Sequence, residues 1–295
     1  MHTNLIVDLS NITQLMRHGK VRNVKRRSQK ETMVPQFLFY QVLQSIFYTS
    51  ASVGASSICI VQDSKNAWRN DIYPAYKAIE KDEDLYYQET LEAMDIIAKF
   101  FREQTAASVF KVPRTEADDI IGFLAYESDP NIRNVIMSSD EDFIQLMMAS
   151  NTEIYNPYFK KRGFRKCEDP EFELFVKCIR GDRGDNIRSA FPRVRLDRLK
   201  KAWDDDYELQ NLMEEKLKDG SKVGDMFEFN SQLIDLDRQP EHIKNVIERE
   251  VINYKPSKYN ELDAISYLGK NGLSEMRDVI NNQNRLLSTK CKFFV

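Results

Sequence analysis

Asn134-Val135-Ile136-Met137-Ser138-Ser139-Asp140-Glu141-Asp142 is a short apolar run that stops at a knot of acids. It reads as a buried β-strand whose end delivers carboxylates. The pattern recurs upstream: Leu5-Ile6-Val7 closes on Asp8, and Ile58-Cys59-Ile60-Val61-Gln62 closes on Asp63. Strands are therefore expected at 4–8, 58–63, 109–112 and 134–139. Between the first two, Phe37, Leu38, Val42, Leu43 and Ile46 fall at helical spacing over Val34 to Ser50, with Pro35 at the start. A second helix is expected from a cap at Asp84 to Gln104, with Leu85, Leu91, Met94, Ile97, Phe100 and Phe101 as its apolar stripe. This alternation predicts an α/β fold, a central, mainly parallel sheet with helices on both faces. Ligands of such sheets lie beyond the carboxyl ends of the strands. Asp8, Asp63 and Asp140 should meet there, although they are far apart in sequence.

Two more acid clusters stand at helix ends. Glu116-Ala117-Asp118-Asp119 opens one helix, and Gly181-Asp182-Arg183-Gly184-Asp185-Asn186 follows another that begins at Asp169-Pro170. Each cluster has a local explanation. Thr115 can cap a helix with Asp118 reaching back, Ser139 to Asp142 has the same spacing, and the Gly181 segment can be turn chemistry. Those explanations do not account for so many acids at strand ends together. Crowded carboxylates repel, and cations relieve the repulsion. His2, His18 and His242 lie outside the clusters, and Cys59, Cys167, Cys178 and Cys291 form no CxxC pair. Oxygen donors alone favour Mg²⁺, with Mn²⁺ as a substitute, over zinc. Two such ions about 3.5–4 Å apart suit phosphodiester hydrolysis.

The chain has 295 residues, 42% of them apolar and 30% charged, enough for a full core. No apolar run approaches a membrane span, and the N-terminus carries no signal pattern. Scattered thiols suit a reducing cytoplasm. The net charge of −3 hides three basic stretches. One runs from Arg17 to Lys30 and includes Arg22, Lys25, Arg26 and Arg27. The others hold Lys160 to Lys166, and Arg188, Arg193, Arg195, Arg198, Lys200 and Lys201. With the acids neutralised by metal, these leave a surface that attracts phosphate.

In order along the chain stand LIVD at 5–8, Gln62-Asp63 with Trp68-Arg69, EADDIIG at 116–122, SSDEDFIQL at 138–146 and GDRGDN at 181–186. This set resembles the flap endonuclease/5′-nuclease superfamily of PIN-like enzymes, nearest to its phage ribonuclease H branch. The resemblance implies a Mg²⁺-dependent 5′→3′ nuclease that removes RNA primers, adjacent DNA and 5′ flaps in lagging-strand replication. Carried over by position, Asp8, Asp63, Glu116, Asp118 and Asp140 match one metal cluster. Asp140, Asp142 and Asp185 match the other, with Asp182 close by. Trp68-Arg69 and Lys77 lead into an arch through which a 5′ strand passes, and Arg69 or Lys77 contacts the scissile phosphate. The segment from Trp68 to Asp84 is expected to order only when a strand threads it. Two departures stand out: no Arg follows Lys77 closely, and the chain after Asn186 lacks a Gly-rich hairpin. Duplex contact then falls to Arg183, Arg188, Arg193 and Arg195.

The expected organisation is a nuclease core over 1–175 and a helical DNA-binding part over 176–295, packed on the core. Expected partners are DNA and RNA–DNA hybrid with a free 5′ end or flap, and a single-strand-binding protein or sliding clamp; the chain is expected to be monomeric. Two rival readings are a PIN-like ribonuclease acting on structured RNA and a catalytically silent DNA-binding protein. At the end of the chain, Phe293 and Phe294 either fold back onto the helices or form a docking peptide.

Overall fold

The computed structural model describes residues 1–24, 35–78, 87–158 and 161–294, without the side chains of 18–24. The side chain of Arg22, and Lys25, Arg26, Arg27, Lys160, Lys81, Asp84 and Val295 as whole residues, lie outside the described residues. In chain order the elements begin with β1 (Thr3–Asp8), α1 (Leu9–Val24), α2 (Pro35–Val53) and β2 (Ser57–Val61). They continue with α3 (Arg69–Ile72), α4 (Tyr87–Gln104), β3 (Ser108–Phe110), α5 (Ala117–Glu127) and β4 (Arg133–Met137). A 3₁₀ turn (Asp142–Met148), β5 (Thr152–Asn156) and β6 (Gly163–Phe164) complete the sheet region. Then follow α6 (Pro170–Arg180), α7 (Leu196–Asp204), α8 (Asp206–Glu214), α9 (Val223–Ile234), α10 (Glu241–Asn253), α11 (Glu261–Lys270), α12 (Arg277–Asn281) and α13 (Asn284–Ser288).

The described strands form one sheet in the order β3-β2-β1-β4-β5-β6, parallel from β3 to β5 and antiparallel at β6. Strand order reverses at β1, so the ends of β1, β2 and β4 share one crevice. Both faces are covered, and the period of two divides the strand residues between them. Leu5, Val7, Ile58, Ile60, Val135 and Met137 pack under α1, α2 and α4, while Ile6, Cys59, Val61, Ile136 and Ile154 pack under α5 and α10. No described helix is long and apolar enough to cross a membrane.

The expected strands form, each beginning one residue early, and β2, β3 and β4 end two residues early. Strand β2 stops at Val61 and β4 at Met137, so Asp63 and Asp140 sit in the loops beyond, while Asp8 ends β1 itself. Strands β5 and β6 were not expected; in Thr152-Glu153-Ile154-Tyr155-Asn156 polar residues interrupt the apolar pattern. Along α4, Ile97, Phe100 and Phe101 are buried as expected, with Ala93 beside them, but Leu91 is 40% exposed and faces away from the core. The C-terminal helices divide. Helices α6 to α9 surround a cluster of their own that includes Phe175, Ile179, Leu199 and Val223, whereas α10 and α11 to α13 return to opposite faces of the sheet.

The chain end also returns. Phe293 is buried against Phe110, and Phe294 meets the edge of Phe123. The Asp129 amide donates to the Phe293 carbonyl at 2.8 Å, and the Lys292 amide donates to Asn4 Oδ1 at 3.3 Å. Of the two expectations for the tail, the structure has the folded-back one.

Candidate active site

Asp8 is 4% exposed. Its Oδ1 accepts from the Asn11 amide at 3.1 Å and its Oδ2 from Ser138 Oγ at 3.2 Å, which ties β1 to the loop after β4. Burial, reinforced by the charges of Asp63 and Asp140, pushes its carboxyl up to about 7. Asp63 joins β2 to α5: Oδ1 accepts from the Ala117 amide at 2.8 Å and Oδ2 from Ser10 Oγ at 2.5 Å. Asp118, half-buried, is pushed well above the carboxylate range by burial and then by Asp8, against the pull of Lys77. Glu116, Asp8 and Asp140 each lean electrostatically on Asp118, so the first group of acids does converge.

The α5 cap lies one residue later than the Thr115–Asp118 alternative. Thr115 Oγ1 instead donates to the Val112 carbonyl, and the Glu116 amide donates to Asp119 Oδ2 at 2.8 Å. Asp119 therefore closes the capping box, which leaves Asp118 to face the other acids. At the second local alternative, the Asp142 amide donates to Asp140 Oδ1 and Ser139 Oγ to Asn11 Oδ1. That is a turn, not a capping box.

The second group gathers around lysine. Lys177, on α6, pairs with Asp142 and, at 3.2 Å, with Asp182. Burial pushes Asp142 up to about 6 despite Lys177, with Asp140 and Asp182 adding to the rise. Burial would also raise Asp182, but Lys177 and the Gly184 and Asp185 amides hold it below the usual range. Gly181 makes this turn possible. It ends α6 at φ 67°, and a Cβ there would meet the Ile187 and Arg188 carbonyls at 2.5 Å.

Lys77 stands between the groups, with Nζ 2.5 Å from Glu116 Oε1 and 3.7 Å from Asp185 Oδ2. Although burial raises Glu116, Lys77 and Arg69 together hold it below its ordinary value; Asp185 is raised by burial against Lys77. The segment around Lys77 is already docked. Its amide donates to the Asp185 carbonyl at 3.0 Å, and Asn186 Nδ2 donates to the Ala75 carbonyl at 2.8 Å. Tyr76 Oη lies 2.8 Å from Glu116 Oε2 and 3.1 Å from Asp185 Oδ2. Trp68 and Tyr76 are buried. The expectation that this stretch awaits a threading strand is thus corrected for residues 68–78; the remainder, 79–84, lies outside the described residues.

Arg69 needs a correction as well. It is 2% exposed, and although it stands in the wall of the acid-lined crevice, its guanidinium is taken up by Asp119, Glu116 and the Leu233 carbonyl. A Trp-Arg pair in a basic, aromatic stretch gave no hint of this. Lys177 was also missed, because a lysine in the last turn of a helix is accounted for by the helix dipole. Its place four residues before Gly181 was the available signal.

One narrow crevice is lined by Tyr76, Asp118, Asp142, Lys177, Asp182 and Asp185, which joins the two groups. In this arrangement no group of three or more His, Cys, Asp or Glu among the described residues forms a ready-made metal site; the lysines meet the acids instead. The donors still fit a hard divalent cation. They are carboxylate oxygens, and burial and like charge raise Asp8, Asp118 and Asp142, a cost that positive charge relieves. Beside the crevice runs a groove of about 960 Å³ whose walls carry Arg180, Arg183, Arg188, Arg193, Lys216 and Lys218. Arg195, exposed before α7, does not line it.

Comparison with known proteins gives four matches. The family model described as 5′-3′ exonuclease, N-terminal resolvase-like domain, matches residues 4–173. Ribonuclease H of Enterobacteria phage T4 is 27% identical over 242 residues, covering 76% of this chain and 77% of that protein. Among solved structures, a phage T5 protein co-crystallised with metal ions superposes with a TM-score of 0.59 at 17% identity, covering 95% of this chain and 99% of that one. A phage T5 flap endonuclease in a pseudo-enzyme–product complex with DNA and metal ions gives 0.58 at 18% identity, covering 95% and 98%.

Proposed function

Because the chain belongs to the 5′-3′ exonuclease family, we propose that this nuclease hydrolyses phosphodiesters of RNA primers, adjacent DNA and 5′ flaps during phage lagging-strand replication, with Mg²⁺ as its cofactor. The observation that carries this reading is the meeting of acids from β1, the loops after β2 and β4, the start of α5 and the turn after α6, beside a basic groove. Asp8, Asp63, Glu116, Asp118 and Asp140 would hold one ion; Asp142, Asp182 and Asp185, sharing Asp140, would hold a second. Bound there, such ions supply activation of water and neutralisation of charge at the phosphate.

The protein's own groups do the rest. Arg180, Arg183, Arg188 and Arg193 bind duplex backbone in the groove and direct the 5′ end to the crevice. Lys77 and Lys177 hold the acids' charge until substrate arrives, then turn toward phosphate oxygens as charge develops there. Asp8 and Asp118 keep their oxygens turned inward through the Ser138 hydroxyl, the Asn11 amide and the α5 start. Crystals of phage T5 relatives with metal ions and with DNA support the cofactor and substrate classes.

The test uses a 5′-labelled flap duplex and a 5′-labelled RNA–DNA hybrid, incubated first with EDTA and then with Mg²⁺, followed by product length. Short labelled products that require Mg²⁺ are expected from both. Binding without cutting would favour a silent DNA-binding protein. Cutting of folded RNA but not of either duplex would favour a structured-RNA nuclease.

A further inference from the structure

Arg69 and Asp119 remain unexplained by metal holding or DNA contact. Both are fully enclosed, at 2% and 0% exposure. Arg69 Nη1 donates to Asp119 Oδ1 at 2.7 Å and to Glu116 Oε2 at 3.2 Å, and Nε donates to the Leu233 carbonyl of α9 at 2.7 Å. The guanidinium lies over the Trp68 ring, 4.6 Å from its centroid. On its other oxygen, Asp119 receives the Glu116 amide at 2.8 Å. Glu116 is thereby gripped twice, its main chain by Asp119 directly and its carboxylate by Asp119 through Arg69.

We infer that Arg69 and Asp119 are a buried positioning pair that fixes Glu116, committing Oε2 to the interior and presenting Oε1 to the crevice. Oε1 is the oxygen that meets Lys77; when Lys77 turns to a phosphate, Oε1 faces a cation. This inference rests on the proposed role of Glu116 as a metal ligand.

Stability alone is a poor reason to keep such a pair. Desolvating two charges costs about as much as their attraction returns, and apolar residues of similar volume often serve a core equally well. The geometry also demands a guanidinium. Its fork reaches a carbonyl on one edge and two carboxylates on the other, which a lysine's single ammonium cannot do. Groups that orient a metal ligand without touching the ion typically matter ~10–100-fold for ion affinity or activity.

The experiment compares wild type, Arg69→Lys and the double variant Arg69→Met with Asp119→Asn. The double variant removes both charges together, and its asparagine oxygen can still accept the Glu116 amide. Four readouts are needed: melting in EDTA, Mn²⁺ affinity by titration, affinity for flap DNA against salt in EDTA, and single-turnover rate in Mg²⁺. The double variant should melt near wild type and bind DNA with unchanged affinity and salt slope, yet bind Mn²⁺ ~10–100-fold more weakly and cut correspondingly slower. Arg69→Lys, which keeps the charge, should lose Mn²⁺ affinity in the same direction.

Wild-type Mn²⁺ affinity and rate in both variants would reduce the pair to a packing feature and overturn the inference. A salt slope lowered in the double variant, which lacks the cation, would overturn it differently, by making Arg69 a phosphate contact. Should wild type itself bind no Mn²⁺, the proposed metal site fails first, which is a separate outcome from failure of the pair.

Discussion

Lys77 concentrates the chemistry of this site in one side chain. It holds φ at 52°, a backbone region that costs a non-glycine residue roughly 1 kcal/mol or more. Hydrogen bonds on both sides, from its amide to Asp185 and from its ammonium to Glu116, keep it there. Lys77→Ala should therefore slow single-turnover cleavage by about 10²-fold, because a cation aimed at developing charge acts on the rate. Affinity for DNA in EDTA should change by less than about threefold, a small fraction of a single charge contact. Equal losses in rate and affinity would assign Lys77 to binding. At this scale the sequence identified the acids and Lys77, since carboxylates after apolar runs are a local pattern. It misled on Arg69, whose partners are all distant in sequence, and passed over Lys177, which meets Asp142 from thirty-five residues away.

Elements decide whether those residues meet. Strands β1, β2 and β4 were legible because each apolar run is short and ends on an acid. Strand β5 was not, because Ile154 is the lone aliphatic in a polar stretch and its burial comes from β4 and the 3₁₀ turn after it. Helix ends depend on backbone angles, which explains why the α5 cap fell at Glu116 instead of Thr115. The groove beside α6 invites a direct check. Replacing Arg188 and Arg193 together by Ala should lower the slope of log affinity against log salt by about 2, since each phosphate contact contributes about 0.9. Cleavage at saturating enzyme should stay near wild type, and an unchanged slope would remove these arginines from the interface. The tail is a second element with a defined role. Phe293→Ala should destabilise the fold by about 3 kcal/mol, the low end for a buried aromatic, while leaving cleavage of DNA alone intact. Unchanged melting would mean that the Phe110 contact contributes nothing.

Across the whole molecule, the acids make stability depend on pH and on cations. Asp8 is held at about 7 and Asp142 at about 6, with Asp118, Asp119 and Asp185 also raised, in each case first by burial. Between pH 5 and 8 the folded chain therefore keeps protons that an unfolded chain has already released. These carboxylates make stability fall as pH rises through that window, opposed in part by His2, whose pKa burial lowers. Glu116 and Asp182 are lowered; their contribution is lost only as pH falls below the ordinary carboxylate range, so it does not reverse the trend. In EDTA the melting temperature should drop from pH 5 to pH 8, by an amount on the order of a few kcal/mol of stability. Mg²⁺ should recover much of it at pH 8 by binding the deprotonated acids. A flat or rising profile in EDTA would contradict this.

The proposed activity requires acids from separate elements to act together on a phosphodiester through divalent cations. Asp140 tests it most directly, because it leans on Asp8, Asp118 and Asp142 alike. The measurement is the single-turnover rate of Asp140→Asn on a 5′ flap duplex at saturating enzyme in Mg²⁺, alongside its DNA affinity and melting temperature in EDTA. The expected result is a rate at least about 10²-fold below wild type, with DNA affinity retained and metal-free melting equal or slightly higher, since one repelling charge is gone. A variant that cuts at the wild-type rate would contradict the account.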